Sequence, residues 1–389
     1  MSTKRRIALV MALALVLVAC GDGGETTTTG AAGGEATTTA AGGEATTTAA
    51  EGEATTTAAE GEATSTTSGG SGEDALRQTL ACDVSPSAEE LVDYQLPAPN
   101  EAYDITLLQV SLAGYYYQAI DYGAHSAGEG AGVEVTTLAA EGYASPDLQL
   151  SQIEDAISRG TDAIVMAPSD IQGSVPAVDL AVEAGIPVVN ISTEVAQSDV
   201  YMVMQDDYVL GQMLADRLAE VLGDNGGSGV VIAGPANATW SRKRTLGFSD
   251  QVAAEYPNIE IAAAPTQLVD PAEGLASFED AVQAFPEIDW IVSVHYFILQ
   301  PSAIPAEYQG EIPYVSFGYE PDSIAALEAG TLDSVFAIEP VSMGRVGIGT
   351  AISLLNGEDQ PRVNCLPAPM FTVDDIGSPV ADNELIEEG

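Results

Sequence analysis

The sequence predicts an α/β protein built from two Rossmann-like lobes, each a parallel sheet flanked by helices, with a ligand cleft between them. Three observations predict it. From about residue 101 onward, short apolar strands alternate with amphipathic helices. Strands separated by one helix each form a parallel sheet covered on both faces. Roughly twelve such strands are more than one open sheet holds comfortably, so two similar lobes are the simpler arrangement. In such sheets ligands bind beyond the carboxyl ends of the strands, which here means between the lobes.

The elements follow in order. Asp104–Ser111 (DITLLQVS) reads as a buried strand, Tyr116–Glu129 as a helix and Val133–Ala139 as a second strand. Pro146–Arg159 is helical, with Leu150, Ile153 and Ile157 on one face. Ala163–Ala167 is a strand, Ile171–Ala184 a helix, and Ile186–Ile191 a strand introduced by Gly185. Further strands are expected near Val200–Met204, Val230–Ala233, Ile259–Ala263, Ile291–Val294, Tyr314–Phe317 and Ser334–Ile338. Helices are expected near Tyr208–Leu222, Ser241–Tyr256, Pro271–Phe285, Ser302–Tyr308, Pro321–Ala329 and Val341–Leu355. Leu210, Leu214, Leu218 and Leu222 form one stripe, with Asp206 or Asp207 as the N-cap.

Charge narrows the function. The 389 residues carry 58 acids against 11 Lys and Arg, a formal net charge of −47. Nucleic acid is excluded as a partner, because its phosphates require basic side chains. Two histidines and three cysteines offer no zinc set of the usual spacing, and no G-x-S-x-G nucleophile motif occurs. No catalytic constellation, metal site or cofactor motif is expected.

The N-terminus reads as an address. Lys4, Arg5 and Arg6 precede the apolar run Ile7–Ala19, too short to span a bilayer comfortably. Leu17–Cys20 resembles a bacterial lipobox, which implies that residues 1–20 are a lipoprotein signal and that Cys20 is lipidated. Residues 21–75 are a Thr/Ala/Gly/Glu tether in which GGEATTTAA recurs with slight variation. Its composition cannot bury enough apolar surface to offset ordering entropy. Residues 76–100 form a leader to the folded region.

The residues also resemble a known family. Leu148–Asp170 (LQLSQIEDAISRGTDAIVMAPSD) and Ala181–Ser192 (AVEAGIPVVNIS) are similar to type I periplasmic binding proteins of the ribose-binding kind. So are Gln205–Gly211, Arg242–Phe248, Pro286–Val294 and Met343–Gly357. The resemblance implies two lobes joined by a three-strand hinge around a small-molecule solute. It places lobe one at 101–204 plus 339–367, lobe two at 205–338 plus 368–377, and a tail at 378–389.

The sugar-binding positions differ from that pattern. Ser192-Thr193 stand where the family has Asp-Arg, His295-Tyr296 where it has Asn-Asp, and Gly318 where it has Asp. The hinge glutamine matches Ile338, beside Glu339. Aromatic residues remain: Tyr116 and Tyr117 in the first loop, Tyr143 after the second strand, Trp240 and Tyr319 in the second lobe. Their arrangement resembles the TorT-like trimethylamine-N-oxide sensors, and aromatic faces suit sugar rings or methylated nitrogen. The plainer reading of two of the three consecutive tyrosines is lobe packing. Arg244 matches the arginine of the family's R-x-x-G-F motif, the alternative being a pair with one of the many acids. The expected ligand set is Tyr116, Tyr117, Tyr143, Ser192, Trp240, Arg244, His295, Tyr319 and Glu339.

The expected function is an extracytoplasmic, lipid-anchored, monomeric solute-binding lipoprotein of an ABC importer, working with an ABC permease. The alternative is a sensor reporting to a membrane histidine kinase. Cys82 and Cys365 are the only cysteines after Cys20 and flank the folded region. Export implies an oxidising compartment, and in the resembling fold both chain ends run near the hinge, so a disulfide is expected between them.

Overall fold

The structure is a computed structural model that describes residues 72–236, 238–267 and 270–387. Cys20 and most of the 21–75 segment lie outside the described residues.

Two short helices, α1 (Gly72–Leu76) and α2 (Ala88–Val92), precede the first sheet. The chain then runs β1 (Asp104–Gln109), α3 (Tyr115–Ala131), β2 (Glu134–Ala139), α4 (Pro146–Arg159), β3 (Ala163–Met166), α5 (Val175–Glu183), β4 (Val188–Ile191) and β5 (Tyr201–Met204). It continues through α6 (Asp207–Leu222), β6 (Gly227–Ile232), α7 (Thr239–Glu255), β7 (Ile259–Ala263), α8 (Pro271–Ala284), β8 (Trp290–Ser293), β9 (Tyr314–Phe317), α9 (Pro321–Glu328) and β10 (Ser334–Phe336). Last come α10 (Pro340–Leu355), β11 (Val363–Cys365), β12 (Met370–Phe371) and α11 (Pro379–Asp382).

These strands make two six-stranded sheets, ordered β11-β5-β4-β3-β1-β2 and β12-β10-β9-β8-β6-β7. The second repeats the order of the first. All pairings are parallel except β10 with β12. The chain passes between the sheets three times: after β5, after β10 and between β11 and β12. Backbone bonds knit these passages together, Leu366 N–H to Met204 O at 2.8 Å and Ala337 N–H to Pro369 O at 2.9 Å. Gln205 adds a side-chain bond to Pro367 O at 2.6 Å.

Local chemistry explains the helices that carry the cleft. Asp206 caps α6 by accepting the Tyr208 and Val209 N–H groups. Leu210, Leu214 and Leu218 then bury the apolar stripe against the second sheet. Each lobe brings two helices into close approach at glycine. A Cβ on Gly344 would strike the backbone of Ile120, fixing α10 against α3. A Cβ on Gly247 would strike the backbone of Tyr208, fixing α7 against α6. The first turns of α3 and α7 are thereby held over the cleft from opposite sides.

Two expectations differ from the structure. Ser302–Tyr308 is not a helix but a series of turns. Pro305 lies in its middle, lacks an N–H and disfavours helical backbone in the residue before it. Gln309 instead donates to Ile304 O at 2.7 Å, closing the turn from its side chain. Helix α5 begins at Val175, because Asp170 Oδ1 accepts the N–H groups of Gln172 and Gly173 and holds a turn there.

The leader joins both lobes. A disulfide links Cys82 to Cys365, with Cα atoms 5.6 Å apart and a sequence separation of 283. Val84 bridges Asn364 beside it. Arg77 reaches the second lobe and pairs with Asp250 at 2.7 Å.

Candidate ligand site between the lobes

A cavity of about 350 Å³ lies at the carboxyl ends of both sheets, lined from each lobe. The first lobe supplies Tyr115, Tyr116 and Tyr117 from the start of α3, Tyr143 from the loop after β2, and Ser192 from the turn after β4. The second supplies Trp240 and Arg244 from the start of α7, His295 and Phe297 after β8, and Glu320 after β9.

The tyrosines are tied to one another. Tyr116 donates to Ser192 Oγ at 3.2 Å, and the Tyr117 hydroxyl donates to that of Tyr143. The Tyr116 and Tyr117 rings meet edge to face, 5.3 Å apart. Burial pushes all three phenols up, so they stay protonated. Ser192 has φ 66°, a left-handed backbone that is uncommon outside glycine.

Arg244 is committed to the protein. Its Nε donates to Asp207 Oδ1 at 2.8 Å and its Nη1 to Val294 O at 3.1 Å. Its guanidinium lies 5.1 Å from the Trp240 ring centroid and 4.6 Å from that of Phe317. Burial pushes Asp207 up while Arg244 opposes it. Lys243 is likewise paired, with Glu194 of the first lobe. The Trp240 indole nitrogen is buried beside the Tyr143 hydroxyl.

Two expected ligand residues do not reach the cavity. Tyr319 is 2% exposed and packs in the second-lobe core, its ring 4.8 Å from Phe371. Gly318, at φ 99°, turns the chain so that Glu320 rather than Tyr319 lines the cavity. Glu339 is fully buried at the second passage between lobes, and its left-handed backbone starts α10. Its carboxyl faces Glu384, which is itself held by Ser342 and Asn383. Burial and the Glu384 charge raise Glu339 far above the usual carboxylate range, so it is neutral. It belongs to the hinge. Tyr116, Tyr117, Tyr143, Ser192, Trp240, Arg244 and His295 do converge on the cavity.

Comparison with known proteins decides the family. Residues 105–359 match the family described as periplasmic binding protein domain. The chain belongs to the periplasmic binding proteins. The ribose import binding protein of Escherichia coli K12 is 26% identical over 257 residues, covering 65% of this chain and 85% of that protein. A xylitol-binding protein of Mycolicibacterium smegmatis is 27% identical over 238 residues, covering 59% of this chain and 66% of that one. Among solved structures, a carbohydrate transporter solute-binding protein from Agrobacterium radiobacter, in complex with D-arabinose, aligns with a TM-score of 0.67 at 23% identity. That alignment covers 73% of this chain and 98% of the other.

In this periplasmic binding protein, sequence reading missed Tyr115, Glu320 and Phe297. Glu320 follows an aromatic residue that draws attention to itself, and only the glycine before that residue hints at the turn. His295 is held neutral: burial first and Arg244 second lower it to about 3. Burial raises Glu320 to about 7, with the Tyr296 hydrogen bond opposing. The walls therefore offer aromatic faces for stacking and a few fixed polar groups for orientation, the composition of a small-molecule site. No group of His, Cys, Asp and Glu suited to a metal ion occurs among the described residues.

Proposed function

We propose that this protein is the extracytoplasmic solute-binding component of an ABC importer and takes a sugar-like small molecule. The cavity carries the reading: its walls come from both lobes, so a ligand there makes contacts that exist only when the lobes are together. Such a ligand favours the closed state by its differential affinity. The named relatives, ribose and xylitol binders, support a polyhydroxylated solute. Their names are those of binding proteins, and the sensor alternative has no comparable support. Ligand candidates are Tyr116, Tyr117, Tyr143, Ser192, Trp240, His295 and Arg244, the last already paired with Asp207. Cys20 as a lipid anchor, a monomeric state and a permease partner complete the reading.

A calorimetric titration with D-ribose, D-arabinose, D-allose and xylitol tests it. Micromolar or tighter binding of at least one is expected, with a raised melting temperature by mass action. Absence of binding to all four and to charged or aminated sugars would reject the reading.

A further inference from the structure

Besides the four tyrosines, two ionisable side chains among the described residues line the cavity with no opposite charge holding them. Arg244 is used by Asp207 and Lys243 by Glu194, which leaves His295 and Glu320. The His295 ring accepts the Phe297 N–H at Nδ1, 3.2 Å away, so a neutral ring carries its proton on Nε2. That nitrogen stands 3.7 Å from Glu320 Oε1, too far for a direct hydrogen bond. Glu320 is fixed in turn: Oε2 accepts the Tyr296 hydroxyl at 2.7 Å, and its backbone N–H is held by Ser323 Oγ at 2.9 Å. Gly318 makes the arrangement possible. A Cβ there would lie 2.8 Å from His295 Cε1 and 3.0 Å from Nε2, so any side chain at 318 would displace the imidazole.

We propose that His295 and Glu320 are the specificity-determining pair of this site, bridged by one ligand hydroxyl that accepts from Nε2–H and donates to the carboxylate. The proposal rests on the solute-binding reading and narrows it. The bridging group must both accept and donate. An ammonium cannot accept from the imidazole. A carboxylate or a fully ionised phosphate cannot donate, and an ionised Glu320 repels it. Among the described residues no free cation on the cavity wall compensates, because Arg244 is already paired. The site therefore selects uncharged polyols over sugar acids and amino sugars.

Acid weakens the pair. Tyr296 and His295 face Glu320 from the segment after β8, Asp322 from its own helix and Tyr115 from α3; Arg244 faces His295 from α7. A hydroxyl donating to the carboxylate favours the ionised form. Bound Glu320 therefore titrates below its ligand-free value of about 7, and affinity falls as pH drops through that range.

The test is calorimetric titration of the full chain with D-ribose, D-arabinose, D-allose, xylitol, D-gluconate, D-galacturonate and D-glucosamine. A neutral member should bind at least about a hundredfold tighter than any charged one. Glu320→Gln and His295→Phe should each weaken that ligand about tenfold, the worth of a hydrogen bond to a charged or buried group. Glu320→Gln should also flatten the affinity profile between pH 5.5 and 8, a readout that simple loss of packing would not move. The proposal is overturned if a sugar acid or amino sugar binds as tightly as the neutral sugars, since the solute-binding reading then stands without it. It is also overturned if both variants keep parental affinity and pH profile. Failure of every member to bind would instead remove the solute-binding reading and this proposal together.

Discussion

The first lobe meets the cleft with uncharged side chains, four tyrosines and Ser192, whereas the second meets it with Arg244, His295 and Glu320 beside Trp240 and Phe297. Yet the two sheets share one strand order, and each lobe seats its cleft-facing helix by the same glycine contact. Strand order decides where loops arrive; the residues on the loops decide what chemistry they bring. A stacking surface and a polar recognition surface have thus been divided between two copies of one architecture. The lobes differ again at their last strands. Strand β11 runs parallel and carries the disulfide, while β12 runs antiparallel and has only two residues.

The largest expected effect tests the charged half. Arg244→Met leaves Asp207 buried without its partner, and stability should fall by about 3–5 kcal/mol in urea denaturation. The matching change in the first lobe, Tyr116→Phe, loses the hydroxyl's contacts with Ser192 and Met343 and should cost only about 0.5–1.5 kcal/mol. Equal losses would erase the contrast between the lobes. Next comes the last-strand difference. Replacing both Cys82 and Cys365 by Ser should cost about 2–5 kcal/mol, and amide exchange should quicken at Val363–Cys365 more than at Met370–Phe371. Uniform quickening would show that the disulfide does not act on the first lobe in particular.

Trp240→Ala should weaken the tightest neutral sugar about tenfold, as expected for a desolvated stacking ring, with little change in melting temperature. Trp290 is the reference: it is fully buried, its indole N–H donates to Gly227 O at 3.1 Å, and it packs on Phe248. Its truncation should destabilise the fold by about 3–5 kcal/mol. A Trp240 variant that melts early would move that residue from the wall into the core. The smallest effect is expected at Ser192→Gly, where relief of a left-handed backbone is offset by loss of the Tyr116–Ser192 hydrogen bond, so stability should change by less than about 0.5 kcal/mol. A lower melting temperature would mean that the Tyr116–Ser192 hydrogen bond outweighs the strain.

Much of the fold was legible because burial imposes a period on each element. The Leu210, Leu214 and Leu218 stripe marks α6 without any structure, and the alternation of strands and helices implies parallel sheets. Ser302–Tyr308 misled because its apolar and polar spacing suits a helix, while Pro305 alone opposes it. The cleft was legible where a residue follows a strand or starts a helix, as with Trp240 and His295. It was not legible where a single torsion decides which neighbour faces the ligand. Gly318 turns Glu320 inward and Tyr319 away, and the left-handed turn at Glu339 sends that carboxyl toward Glu384. Such torsions depend on tertiary packing and leave no periodic trace.

The Cys82–Cys365 bond has a topological consequence. It closes 283 residues of sequence separation into one covalent ring that contains every strand of both sheets except β12. A protease that cuts one loop inside this ring leaves two pieces still joined through the disulfide and releases nothing. Two cuts are needed to free a fragment, and a singly nicked molecule keeps its mass until a thiol is added. Loops that move during ligand capture can thus suffer a first cleavage without the lobes parting company.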